Sequence, residues 1–235
     1  MGERFTRTRW LLGQEGMNTL KNSKVAVFGI GGVGSFACEA LVRSGLGKII
    51  MIDYDIIDIT NINRQIHANS KTVGLSKVKV MRNRLLDINP DIDVVAIEEQ
   101  YGELNKEELL CTDYDYVIDA IDMVSAKVNL IENCKRLGIP IVSAMGAGNK
   151  LDPTMFRIGD IYETDTCPLA KVIRRELRKR DISALRVVWS REKPIKVNPT
   201  EEQSERGAPG SVSFVPPVVG LILASEVINN LVFER

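Results

Sequence analysis

Ser23-Lys24-Val25-Ala26-Val27-Phe28-Gly29-Ile30-Gly31-Gly32-Val33-Gly34 is the stretch whose reading decides the fold. Residues 23–28 form a short, β-rich apolar run, and residues 35–44 carry apolar side chains at helical spacing. Strand, glycine turn and helix in that order let backbone N–H groups come close to a phosphate, and the helix N-terminus adds about half a positive charge. The next apolar run, Lys48 to Asp53, ends in a carboxylate 19 residues past Gly34, where it can take ribose hydroxyls. Taken alone, the pair reads as a dinucleotide fingerprint with NAD as the ordinary ligand. The loop itself leaves NAD and ATP both open, and a glycine turn serving only packing is the bland alternative.

Outward from the loop, strand and helix alternate. Lys77 to Ile88 reads as a helix stopped by Asn89-Pro90, followed by a strand at 93–97. A helix at 106–110 precedes a strand at 116–119, and a helix at 125–137 precedes a strand at 139–143. Near-continuous apolar strands spaced by helices predict a doubly wound, Rossmann-like, mainly parallel sheet covered on both faces. After Gly148 the rhythm changes to a strand at 155–161, a helix at 169–180 and a strand at 185–190. Residues 194–209 are polar and rich in Glu, Pro and Gly, which predicts a flexible loop. A last helix, 218–233, repeats apolar Val219, Leu223, Val227 and Leu231 every four positions and reads as a core helix. The expected division is an N-terminal helical arm (1–22), an ATP-binding core (23–150) and a C-terminal elaboration (151–235), all within one integrated domain.

Length and composition narrow the class. A chain of 235 residues with 44% hydrophobic and 26% charged residues is an ordinary globular protein, which excludes collagen, bulk disorder and a disulfide scaffold. Cys38, Cys111, Cys134 and Cys167 form no CxxC pair, so neither a zinc knuckle nor a disulfide framework is expected. The N-terminal residues lack an apolar signal core, and the longest apolar run, 214–224, is too short to span a bilayer; a cytoplasmic setting is expected. Charge is balanced at 31 against 31, yet residues 171–196 hold ten Lys/Arg and three Asp/Glu. Such asymmetry points to an anionic partner on one face, against the plain alternative of a solvated helix face.

The residues downstream of the loop separate ATP from NAD. Asp53-Tyr54-Asp55 leads into Asn61-Ile62-Asn63-Arg64-Gln65, then Lys77, and later Asp119-Ala120-Ile121-Asp122. An amide, an Arg and a Lys converging on the glycine loop suit a triphosphate. A carboxylate after a strand's C-terminal end, such as Asp122, suits Mg²⁺ held through phosphate oxygens and water. Hydride transfer needs no such set.

These motifs, Gly29 to Gly34 (with Gly31, Gly32 and Val33), Asp53-x-Asp55, Asn61-x-Asn63-Arg64-Gln65, Lys77 and Asp119-x-x-Asp122, resemble the adenylating superfamily of ubiquitin-activating-enzyme-like proteins. The resemblance implies that Asp53 binds ribose, that Asn61, Arg64 and Lys77 hold the triphosphate, and that Asp122 coordinates Mg²⁺. It further implies a homodimer in which the N-terminal arm, with Arg7 as candidate, reaches the partner subunit's γ-phosphate. Members of the superfamily join AMP to a carboxylate and release pyrophosphate.

Within that superfamily the chain is similar to the tRNA threonylcarbamoyladenosine dehydratases over most of its length. The match includes Thr60 to Ala68, Asp87-Ile88-Asn89-Pro90, Gly146-Ala147-Gly148, Asp152-Pro153-Thr154 and Pro168-Leu169-Ala170-Lys171. It implies that ATP activates the threonine carboxylate of the modified adenosine in tRNA, and that attack from within the same side chain then closes a ring with net loss of water. Lys171, Arg174, Arg175 and Arg178, at i, i+3, i+4 and i+7, would form one helical stripe able to track tRNA phosphates without reading sequence. A cysteine desulfurase with its sulfur acceptor is a candidate further partner, while DNA is not expected. The rival within the superfamily is adenylation of a ubiquitin-like sulfur carrier, in which Cys167 would capture the acyl group. The rival outside it is an NAD-dependent oxidoreductase or a scaffold without turnover. His67, the only histidine, reads as a structural hydrogen-bonding residue more readily than as a general base. The loop at 196–213 is expected to lie over the acyl site.

Overall fold

The structure is a computed structural model that describes residues 3–196 and 209–233. Its elements run α1 (Thr6–Asn22), β1 (Lys24–Phe28), α2 (Gly34–Arg43), β2 (Lys48–Ile52), α3 (Lys77–Ile88), β3 (Asp93–Ile97) and α4 (Lys106–Leu109). They continue with β4 (Tyr116–Asp119), α5 (Val124–Leu137), β5 (Ile141–Ala144), β6 (Phe156–Asp160), α6 (Pro168–Arg178), β7 (Arg186–Ser190) and α7 (Pro216–Phe233). The seven strands form one sheet in the order β3-β2-β1-β4-β5-β7-β6. Every pairing is parallel except β6 with β7. This is the doubly wound, Rossmann-like α/β fold that the sequence predicts. Most of the loop expected at 194–209 lies outside the described residues.

Alternation along each strand builds a core on either side of the sheet. Val25, Val27, Ile49, Met51 and Ile118 join one cluster with residues of α2, α3 and α7. Ala26, Phe28, Ile50, Ile52 and Val117 join the other with residues of α5 and α6. Burial on both faces explains why these strands read as apolar runs.

Among the described residues α7 alone is long and apolar enough to cross a membrane by length and composition, with a mean hydropathy of 1.5. In the fold it is a core helix, because Val219, Leu223 and Val227 are fully buried, with Leu231 3% exposed. Its approach to α2 is backbone-close: a Cβ on Gly220 would overlap the Val33 carbonyl oxygen. The helix starts at Pro216, two residues before the expected position, since proline fits the first turn of a helix, where N–H groups have no intrahelical acceptor. The N-terminal arm is helical as expected but broken at Gly13, whose φ of +70° no helix accommodates.

Lys127, Asp119 and His67 are among the most deeply buried ionisable groups. Lys127 of α5 and Asp119 at the end of β4 are both fully buried and pair at 2.7 Å. The Lys127 ammonium also donates to Ser143 Oγ at 3.2 Å and to the Ala144 carbonyl at 3.0 Å, so three elements converge on one charge. His67 is 2% exposed, and neither ring nitrogen has a hydrogen-bond partner among the described residues. The expected structural hydrogen bond through its ring is therefore not found. Burial, then the Lys77 and Arg84 charges, pulls its pKa down to about 4.

Removing one partner of the buried pair leaves the other charge uncompensated. Lys127→Met is expected to cost about 3–5 kcal/mol of stability, read from chemical denaturation. His67 stays neutral in the fold yet takes a proton at an ordinary pH when unfolded. Its contribution is whole above pH 6.5, the ordinary histidine value, and is lost as pH falls toward about 4. The loss is on the order of 3 kcal/mol, and His67→Gln should flatten this acid limb in denaturation curves taken between those pH values.

Candidate active site

Strand register, not chain order, assembles the site. Phe28, the last residue of β1, lies level with Ile52 of β2 and with Asp119 of β4. The segments leaving these strands, 29–34, 53–55 and 120–122, therefore emerge side by side at the C-terminal edge of the sheet. Here the winding reverses between β1 and β4, the crevice where ligands sit in open α/β sheets. A cleft of about 970 Å³ opens there.

Glycine is obligatory in the first of these segments for two reasons. Gly29 has φ +89°, and a Cβ on it would stand 2.6 Å from the Ala120 carbonyl oxygen. A Cβ on Gly34 would overlap the Gly29 carbonyl oxygen. Gly34 does not line the cleft; its part is to let α2 start against the turn. Gly29, Gly31, Gly32 and Val33 do line it.

Asp53 holds this loop in place. One carboxylate oxygen accepts from the Ile30 N–H at 2.6 Å and the other from the Asp55 N–H at 2.9 Å. Burial raises its pKa, against the pull of Lys77 and these two amides. Its syn and anti lone pairs are not exhausted by two amides, so it can still accept from a sugar hydroxyl. Tyr54, beside it, has its phenol pKa raised first by Asp55, then by burial, by Asp122 and by Asp53. Three carboxylates thus share one field at the cleft mouth.

The expected phosphate-binding side chains all reach the cleft, in different states. Lys77, at the start of α3, is 6% exposed and pairs with Asp55 at 2.6 Å. Arg64 donates to the Thr60 carbonyl at 2.9 Å and to Asn63 Oδ1 at 2.8 Å, and burial lowers its pKa. Its stem covers Gly32, where a Cβ would meet Arg64 Cγ at 3.1 Å. Asn61 closes a capping box with Asp58, accepting from the Asp58 N–H at 3.2 Å. Gln65 is 5% exposed with its Oε1 buried and unpartnered among the described residues, an orphaned acceptor on the cleft wall. A ligand that donates a hydrogen bond would satisfy it.

Asp122 follows β4 at the cleft, exposed and without an ion pair or hydrogen bond among the described residues. No group of three metal-ligating side chains exists among those residues. A lone, free carboxylate in a negative field fits Mg²⁺ that keeps its waters and binds mainly through phosphate oxygens. Arg7 lies on α1, exposed, and does not line the cleft of its own chain.

The far wall was only partly legible. Gly146 to Lys150, Cys167 and Leu169 line the cleft after β5 and at the start of α6. The sequence reading singles out neither Lys150 nor Tyr101; a lysine two residues after Gly146-Ala147-Gly148, in the segment that follows a buried strand, is the available signal for the first. Cys167 is 2% exposed, packed at the N-terminus of α6. The basic stripe on α6 is not uniform. Arg174 turns back to donate to the Thr164 carbonyl at 2.7 Å and to the Thr164 hydroxyl. Arg178 stacks over the Tyr162 ring at 5.3 Å. Lys171 and Arg175 are exposed, Arg175 within 3.4 Å of Glu176.

Comparison with known proteins bears on this cleft. The chain is 46% identical over 242 residues to the tRNA threonylcarbamoyladenosine dehydratase of Bacillus subtilis, covering 98% of this chain and 95% of that protein. It is 42% identical over 176 residues to the Escherichia coli protein of the same name, covering 75% of this chain and 66% of that one. The crystal structure of that E. coli enzyme, TcdA, in complex with ATP superposes with a TM-score of 0.89 at 35% identity, covering 97% of this chain and 93% of the other. The model of the ThiF family matches residues 5–234, which takes in the glycine loop, the cleft walls and α7, and the chain belongs to the ThiF family.

Proposed function

We propose that this chain is an ATP-dependent tRNA threonylcarbamoyladenosine dehydratase. The observation that carries the reading is the convergence of Asp53, Arg64, Lys77 and Asp122 on one glycine-lined cleft, in a chain 46% identical to a dehydratase of that name over nearly its whole length. The ATP complex of the similar E. coli enzyme supports ATP as the nucleotide. Asp53 takes the ribose hydroxyls, the amides of Gly31, Gly32 and Val33 face the phosphates, Gly29 makes the turn beneath them, and Asn61 and Gln65 flank them. The arm, the core and the C-terminal elaboration act as one unit in the cytoplasm.

The reaction is two displacements. One oxygen of the threonine carboxylate attacks the α-phosphorus of ATP, its bond forms as the bond to pyrophosphate breaks, and an acyl-adenylate results. A nucleophile of the same side chain then attacks the activated carbonyl carbon, and AMP departs with the original carboxylate oxygen. The nucleoside has lost the elements of water, and no protein nucleophile is needed. The chain's work is to align two anions and offset charge that grows on the leaving phosphates. Arg64 supplies a fixed positive fork. Lys77 contributes by exchanging its partner Asp55 for phosphate. Asp122 would hold Mg²⁺, which supplies further charge neutralisation when bound. Arg7 completes the site from the other subunit of a homodimer.

The acceptor of the rival reading, a sulfur-carrier protein, would leave Cys167 as the acyl-capturing group. Its burial, at 2% exposure, argues for a packing role.

Mass spectrometry of nucleosides from threonylcarbamoyladenosine-containing tRNA, incubated with the protein and ATP·Mg²⁺, should show ATP-dependent loss of one water. No mass change, with pyrophosphate instead released on adding a ubiquitin-like carrier and lost in Cys167→Ala, would replace this reading by the rival. Arg64→Ala and Asp122→Ala should each lower pyrophosphate release by at least about 100-fold without loss of fold, measured by coupled assay and circular dichroism. Normal turnover in both would sink the site assignment. For the tRNA surface, Lys171→Glu with Arg175→Glu is cleaner than any set that includes Arg174, which braces Thr164. The double variant should weaken tRNA binding and flatten its salt dependence while leaving ATP binding intact.

A further inference from the structure

The far wall of the cleft holds a cation that the nucleotide reading does not use. Lys150 is 3% exposed and lines the cleft. Among the described residues its only side-chain hydrogen bond is a long one, 3.3 Å, to the Gly148 carbonyl, and no carboxylate of those residues pairs with it. Glu192, the nearest acid in charge terms, is spent on backbone: its carboxylate accepts from the Leu151 N–H at 2.9 Å and the Asp152 N–H at 3.0 Å. An ammonium taken out of water without a countercharge is unfavourable, so an anion is wanted at this spot.

The segment carrying Lys150 is built to stay put. Asn149 adopts φ +56°, rare for a residue other than glycine. Its N–H donates to the Gly210 carbonyl at 2.8 Å, its carbonyl accepts from the Ile195 N–H at 2.8 Å, and its side chain accepts from the Gly210 N–H at 2.7 Å. Gly148 sits so close to Pro209 that a Cβ would stand 2.6 Å from the ring. Two separate stretches of chain, at Ile195 and at Pro209-Gly210, therefore hold the residues before Lys150.

Position along the sheet edge says which anion. Asp53 follows β2, the glycine loop follows β1, Asp122 follows β4, and the segment bearing Lys150 follows β5. Ribose, phosphates and metal thus occupy the first three places, and Lys150 stands in the fourth. Cys167 and Leu169 beside it make that end less polar, which strengthens any charge pairing there. Burial also lowers the Lys150 pKa, the expected sign for an ammonium that meets its partner only when substrate arrives.

We propose that Lys150 binds the carboxylate of the acyl substrate and holds it facing the α-phosphorus, an inference that rests on the reaction proposed above. Lys150→Met keeps the volume and removes the charge, and Lys150→Arg keeps the charge. Lys150→Gln serves the same comparison should the methionine variant not fold. Three quantities are read for each: the rise in Tm with ATP·Mg²⁺, pyrophosphate release driven by threonylcarbamoyladenosine-containing tRNA, and the binding preference for that tRNA over one whose carboxylate is converted to the amide. The charge-removing variant should keep the ATP-dependent rise in Tm, lose about 100-fold in kcat/KM, and bind carboxylate and amide alike. The arginine variant should regain part of both the rate and the preference. Unchanged turnover in Lys150→Met, or a preference for the carboxylate that survives it, overturns the inference. Loss of the ATP-dependent rise overturns it too, by making Lys150 a phosphate ligand. A wild-type protein that releases no pyrophosphate with this tRNA would instead defeat the reaction on which the inference rests, and the assignment of Lys150 with it.

Discussion

Backbone running against backbone at the end of β1 is the constraint on which the rest of the site depends. Gly29 leaves the strand with φ +89° and passes so near the Ala120 carbonyl that no side chain fits between them. The Ala120 N–H in turn donates to the Phe28 carbonyl at 2.8 Å, and the Gly29 N–H donates to the Ile52 carbonyl at 2.9 Å. β1 is thereby locked to both neighbours at the last residue before the cleft. Asp53 on one side and Asp122 on the other take their places from that lock, and α2 can begin directly behind the turn.

A second layer holds the first from below. The pair of Asp119 with Lys127 lies under the loop that ends in Asp122, and Asp119 also accepts from the Ile121 N–H at 3.1 Å. The same carboxylate thus neutralises a buried cation and sets the path of the loop. This is an expensive device in stability terms, since both charges leave water. In exchange it fixes the path of the loop that carries Asp122 to the cleft.

Charge in the cleft is arranged unevenly. Lys77 already has a carboxylate partner, Arg64 is braced by its own loop, and Asp122 and Lys150 have no ion-pair partner among the described residues. The unpaired groups stand past β4 and β5, and the paired ones stand nearer β1 and β2. Preorganised partners hold the nucleotide-binding end in shape before anything binds. The two unmatched charges are of opposite sign, as the proposed roles of Asp122 and Lys150 require.

Much of this was legible in the order of residues. Alternating apolar runs and helical spacing are local properties, so the strands, the helices and the doubly wound sheet follow from the chain read in sequence, to within two or three residues at their ends. Gly29 to Gly34 and Asp53 could be assigned because a tight turn and a strand end constrain residue type locally. What the sequence could not decide was which side chains meet across segments far apart in it. Lys127 reads as one more helix residue until the fold sets it on Asp119 and Ser143. Arg174 reads as part of a free basic stripe until it is found bonded to Thr164. Lys150 looks like any surface lysine until β5 and residues 209–211 close around it. Each depends on desolvation and on partners supplied from other elements, and both exist only once the chain has packed. The sequence by itself determined the fold and the glycine turn at the end of β1; the tertiary structure decided which charges are matched and which have no partner among the described residues, because partners come from elements far apart in the chain.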